Sequence, residues 1–253
     1  MRRSKENVFS RNKEGGKLAG CFTQVLFHGL TIVAIGRYNV NGIVEAAMQG
    51  DGGKRLLSRA HFRNLYKYHQ MLDSETIGHS HRVAILMREL SREMNFLESD
   101  CLLAYVLGYI HDCGKYYLPR TILQKPGPLT AEEFDKIKQH PLFGTDIVLA
   151  TTGSHELANV IAAHHERLDG SGYPHGLRER DIMPLSRMLS VCDSFEAMTA
   201  KRSYRSPMTT AEAAAELQRC ADVQFDEMVV DLFVNKVLPV WEMNRCPAKA
   251  AGV

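Results

Sequence analysis

Apolar residues recur along most of this chain with a helical period. The stretch HSHRVAILMREL sets Val83, Leu86, Met87 and Leu90 on one face, with Ile85 beside it. Leu102, Leu103, Val106, Leu107 and Ile110 carry the same pattern up to His111. Thr130 with Glu133, and Thr209 with Glu212, have the spacing of capping boxes and open two further helices. Pro119, Pro126, Pro128, Pro141, Pro174, Pro184 and Pro207 punctuate the segments between. Period-two alternation is scarce, and Leu30–Ile35 reads as a short strand run. The pattern predicts an all-α fold.

Glycine clusters divide the chain. Gly15-Gly16 and Gly50-Asp51-Gly52-Gly53 bracket a short N-terminal unit, and the second cluster reads as a linker. The expected organisation is an N-terminal segment at 1–57, a main helical domain at 58–245, and a frayed tail at 246–253 that ends CPAKAAGV. Leu18–Ile35 is apolar but short for a membrane span, and it is interrupted by Gly20, Gln24, His28 and Gly29. It reads as a packed or partner-facing segment in preference to a membrane anchor. The long polar lead-in does not fit a signal peptide.

Composition narrows the class. A chain of 253 residues with 45% hydrophobic and 24% charged residues has the profile of an ordinary globular protein with one substantial core. A net charge of +2 is too small to make a nucleic acid polymer the electrostatic partner. Six cysteines without CxxC or regular spacing fit reduced thiols and a cytoplasmic chain. The informative excess is 11 histidines.

Those histidines fall beside acids at helix ends. ETIGH puts Glu75 and His79 one turn apart; HDCGK carries His111, Asp112 and Lys115; KQHP carries His140; HHERLDGSGYP opens with His164 and His165. Asp193 stands among Val191, Cys192, Phe195 and Met198, where an unpaired carboxylate is costly to bury. Singly, each has a structural explanation. Together, mixed nitrogen and oxygen donors suit iron, manganese or a similar divalent ion. Glu166 and Asp169 either cap the turn after the paired histidines or tune one of them, and Cys113 and Cys192 read as small core residues.

The ordered set H…HD…H…HH…D resembles the HD-domain metal-dependent phosphohydrolases. The words HDCGK, PGPLTAEE, KQHP, HHERLDGSGYP and DSFEAMTAKRSYR narrow the resemblance to the HD-GYP subfamily, from about Glu75 to about Phe233. The resemblance implies an HD-domain helical bundle with a short N-terminal appendage. It implies a phosphodiesterase that hydrolyses cyclic di-GMP, a bacterial second messenger, to linear pGpG and/or GMP. Open alternatives are an HD hydrolase for another cyclic dinucleotide or nucleotide, and a nucleotide- or protein-binding signalling module with little catalysis.

The same resemblance makes His79, His111, Asp112 and Asp193 ligands of one metal ion, and Asp112, His140, His164 and His165 ligands of a second. Glu75 stands where members holding a third ion carry a glutamate, so two or three divalent ions, iron or manganese, are implied. Asp112 and Lys115 are the implied catalytic residues; Lys115, Arg202 and Arg205 are implied phosphate-binding residues. Tyr173 offers a ring and a hydroxyl to substrate, or braces its loop as a core aromatic. Signalling partners reached through the GYP loop or the N-terminal segment, and a homodimer, stay open.

Overall fold

The computed structural model describes residues 57–201 and 206–245. The N-terminal segment with its Leu18–Ile35 stretch and strand run, the pair Arg202 and Arg205, and the tail from 246 lie outside the described residues.

The described residues are helical, and their β structure is confined to two isolated bridges, Asp169 with Arg178 and Ala221 with Phe225. Helix α1 spans Arg59–Gln70 and α2 spans Ser74–Glu93. Asp73 starts α2 by accepting from the backbone N–H groups of Glu75 and Thr76, so the free donors of the first turn find a carboxylate. Helix α2 then buries Val83, Leu86, Met87 and Leu90, the stripe expected from its spacing, and His79 with them.

Helix α3, Glu98–Ile110, is buried along nearly its whole length from Cys101 onward, which makes it the central helix. It packs along α2 and ends at His111. A short 3₁₀ turn, Cys113–Tyr117, and the single-turn helix α4, Arg120–Leu123, follow. Helix α5, Ala131–Ile137, begins with the Thr130/Glu133 capping box. Helices α6, His140–Thr152, and α7, His155–Ala162, form a hairpin through Gly153, whose φ of 68° terminates α6.

The loop from 163 to 183 leads into α8, Pro184–Thr199, which starts on a proline and buries nine of its residues. Two of these are acids, Asp193 and Glu196. Helix α9, Thr210–Arg219, opens on the Thr209/Glu212 capping box. Helix α10, Glu227–Leu232, a π-helical turn at Phe233–Val237, and α11, Leu238–Arg245, close the chain. Phe233 meets Phe195 of α8 edge-on at 5.1 Å between centroids. Burying each such side chain is worth about 1.5–3 kcal/mol, so this layer holds α8 in place behind the acids it carries.

No helix among the described residues is long and apolar enough to cross a membrane. Cys101, Cys113 and Cys192 are buried free thiols, and burial pushes Cys113 up to about 12 and Cys192 well up, as expected of inert core residues.

Candidate metal centre

Helix ends position most of the cluster, and the reason is the unpaired carbonyls that every helix leaves in its last turn. His111 follows α3 and donates its Nδ1–H to the Gly108 carbonyl at 2.8 Å. His140 follows α5 and donates to Ile137 at 2.7 Å; the residue that would otherwise bond this carbonyl is Pro141, which has no N–H. His164 follows α7 and donates to Ile161 at 2.6 Å. A carbonyl can only accept, so in each neutral ring the proton sits on Nδ1 and the Nε2 lone pair points inward.

The inward nitrogens converge. His140 Nε2 lies 3.2 Å from His164 Nε2, and His79 Nε2 lies 3.3 Å from His111 Nε2. His79 Nε2 is 2.9 Å from Asp193 Oδ1, and His165 Nδ1 is 3.8 Å from Asp193 Oδ2. Asp112 divides its carboxylate between the two sides: Oδ1 is 3.3 Å from His140 Nε2 and Oδ2 is 3.4 Å from His111 Nε2. In each of three sets the donor atoms lie within 4.8 Å of one another, namely His79/His111/Asp193, His140/His164/His165, and His111/Asp112/His164. The third set joins the other two.

Electrostatics favours a cation here. Burial holds His140 down to about 3 and His164 to about 4, so both rings are neutral near pH 7. Two neutral rings with committed Nδ1–H groups therefore point lone pairs at each other across 3.2 Å, and a positive ion between them resolves the repulsion. Burial also opposes a charged His79, yet hydrogen bonds to Asp193 and Glu196 carry it up to about 9. A divalent ion supplies the same positive charge in place of that proton. Burial alone would raise the Asp112 carboxyl; Lys115 and the surrounding imidazoles overcome it and hold the group well below the usual range. The donor set fits a divalent transition ion.

Lys115 Nζ sits 2.6 Å from Asp112 Oδ2. Tyr173 lies at the rim, half-buried, with its ring 4.8 Å from that of His165 and its N–H donating to the His165 carbonyl at 3.2 Å. Glu75 is exposed in the first turn of α2 and belongs to none of the three sets.

Two acids have roles that the sequence reading did not fix. Glu166, 2% exposed, accepts from the backbone N–H of His175 at 2.7 Å and of Leu177 at 3.0 Å, so it pins the loop that carries Tyr173. Glu196 was missed entirely: its Oε2 meets His79 Nδ1 and its Oε1 accepts from Arg82 Nε. The signal was available, because Glu196 is a second carboxylate in the apolar stretch that singled out Asp193. Asp169 caps its turn, accepting from the Ser171 N–H at 2.9 Å and hydroxyl at 2.7 Å.

Residues 68–229 match the family described as HD domain. The chain belongs to the HD domain family. Among the relatives of this HD domain protein, a cyclic di-GMP phosphodiesterase of Thermotoga maritima is 39% identical over 68% of this chain and 48% of its own length. A 3'3'-cGAMP-specific phosphodiesterase 2 of Vibrio cholerae is 35% identical over 64% of this chain and 31% of its own. The chain thus spans about half or less of these relatives. The solved structure of Bd1817, an HDG"Y"P protein from Bdellovibrio bacteriovorus, superposes with a TM-score of 0.55 at 18% identity, covering 79% of this chain and 78% of that one, and supports the fold.

Proposed function

We propose that this HD domain hydrolyses cyclic di-GMP to linear pGpG and/or GMP. The observation that carries the reading is the Asp112 carboxylate, which faces a histidine of each ligand group with a different oxygen. Such an arrangement suits two neighbouring ions. His79, His111 and Asp193 would hold one, and His140, His164 and His165 the other, with Asp112 common to both. Iron and manganese match this mixture of imidazole and carboxylate donors. Two ions account for both groups; a third would rest on Glu75, whose carboxylate is exposed.

Bound divalent ions supply an activated water and neutralise charge on the phosphodiester. The protein's own residues do the rest. The carbonyls of Gly108, Ile137 and Ile161 keep three rings in the tautomer that presents Nε2. Lys115 brings an ammonium beside Asp112 and offers it to a non-bridging phosphate oxygen. Tyr173, whose phenol burial pushes up and keeps protonated, offers a hydroxyl and a ring edge at the rim. Arg202 and Arg205 supply forked donors to phosphate by resemblance to the family.

A second reading, hydrolysis of a mixed cyclic dinucleotide, is favoured by the Vibrio cholerae relative named for 3'3'-cGAMP. Incubating protein purified without oxygen with cyclic di-GMP and with 3'3'-cGAMP, then separating products by chromatography, tests both. Linear products from cyclic di-GMP support the first reading. Turnover of 3'3'-cGAMP alone transfers the proposal to the second, and turnover of neither by a metal-loaded protein favours a binding module.

A further inference from the structure

His79 differs from the other oriented imidazoles in where its Nδ1 points. His111, His140 and His164 use carbonyls left over at helix ends. His79 lies within α2, on its second turn, where the preceding carbonyls are taken by the helix itself. Its acceptor must come from another element, and that acceptor is Glu196 of α8, 117 positions along the chain. Glu196 lies one turn beyond Asp193 on the same helix, and Asp193 Oδ1 is 2.9 Å from His79 Nε2. Helix α8 therefore grips one ring at both nitrogens. The grip is fixed from outside, because Glu196 Oε1 accepts from Arg82, three residues after His79 on α2.

We propose that Glu196 is a positioning residue that fixes the His79 ring with Nε2 toward the ligand group and, being an anion where the other three rings have a neutral carbonyl, makes His79 the strongest imidazole donor of the cluster. The ion held by His79, His111 and Asp193 is then the tighter bound of the two. This inference rests on the metal-centre reading above. A carboxylate that orients a ligating imidazole raises its basicity, and removing such a partner weakens metal affinity about 10–100-fold.

The test is calorimetric titration of the metal-stripped full chain with Mn²⁺, together with the thermal midpoint of the metal-free protein. The variants are Glu196→Gln, which keeps the shape and loses the charge, and the same change in a His165→Ala background that disables the other ligand group. The expected result is an affinity loss of about 10–100-fold for one ion, retained in the His165→Ala background, with the second ion unchanged; the metal-free midpoint falls as well, because His79 and Arg82 lose the charge they pair with. Two ions bound as in the unsubstituted protein would overturn the inference and leave the metal centre standing. Equal weakening of both ions would also overturn it, since loss of selectivity is the signature of a strut between α2 and α8. An unsubstituted chain that takes up no ion removes the metal centre and this inference together. Should Glu196→Gln not fold, Glu196→Asp keeps the charge and shortens its reach to His79; it should weaken the same ion selectively, and an unchanged titration would refute the role.

Discussion

His140 and His164 meet Nε2 to Nε2 at 3.2 Å, each having already given its Nδ1–H to a carbonyl three residues earlier. No proton is shared between them, so without a cation the contact is unfavourable. The fold tolerates it because burial and the flanking helices leave the rings nowhere else to go.

This contact fixes a pH dependence for the metal-free protein. His140 and His164 are held below their ordinary value of 6.5, at about 3 and about 4, so between those values and 6.5 the unfolded chain binds more protons. Their effect is to remove stability as pH falls below about 6.5. His79 has the opposite sign: raised to about 9, it contributes stability that is full below 6.5 and lost as pH climbs to about 9. The thermal midpoint of chelator-stripped protein should therefore peak near neutral pH and decline on both sides. A midpoint that stays flat from pH 4 to 9 would contradict these assignments.

Asp112→Ala should abolish the connection between the two ligand groups. Turnover of the cyclic dinucleotide should fall at least about a hundredfold, beyond the loss seen when a mere partner of a ligand is removed. Metal content should fall with it. Steady-state kinetics and elemental analysis on one preparation check this, and an active, fully loaded variant would disprove the shared role.

Gly114 lies where the 3₁₀ turn after Asp112 touches the start of α6. A Cβ there would stand 2.0 Å from the His140 carbonyl oxygen and 2.4 Å from the Gly144 nitrogen, both backbone atoms. Gly114→Ala must push α6 outward and carry His140 away from Asp112. Overpacking of this kind costs about 1–3 kcal/mol or more, so denaturant midpoints should drop and metal binding weaken together. Unchanged stability would mean that the two segments are not in the contact described.

Glu166→Ala should loosen the loop and spare the ligands. Its carboxylate holds two backbone N–H groups, and hydrogen bonds to a charged group are worth about 1.5–3 kcal/mol each. The expectation is a lower thermal midpoint and a raised KM with metal stoichiometry retained. Loss of metal with KM intact would reverse the assignment. Gly172→Ala should act on the same loop, since its Cβ would fall 2.4 Å from the Arg167 nitrogen and 2.5 Å from the Glu166 Cα.

What was legible in the sequence was whatever local spacing controls. The stripe on α2, the two capping boxes and the run of α3 up to His111 are dictated within a few turns and occur where expected. The HHE motif was legible for a related reason, because a histidine that ends a helix inherits an unpaired carbonyl. Glu196 was not, because its partners His79 and Arg82 are 117 and 114 positions away and no periodicity encodes that pairing. Glu75 drew attention by being one turn from His79 and is an exposed residue, while two acids at the ring, Asp193 and Glu196, come from another helix that local spacing does not relate to α2. The loop role of Glu166 depended likewise on backbone N–H groups nine and eleven residues ahead.

The central claim is that imidazoles and carboxylates from five separate segments enclose neighbouring divalent ions. Elemental analysis of the full chain, purified without oxygen and normalised to protein concentration, measures it most directly. The predicted result is two transition ions per chain, falling in Asp112→Ala. A folded, helical chain that carries no such ion and takes none up from added Fe²⁺ or Mn²⁺ would contradict it.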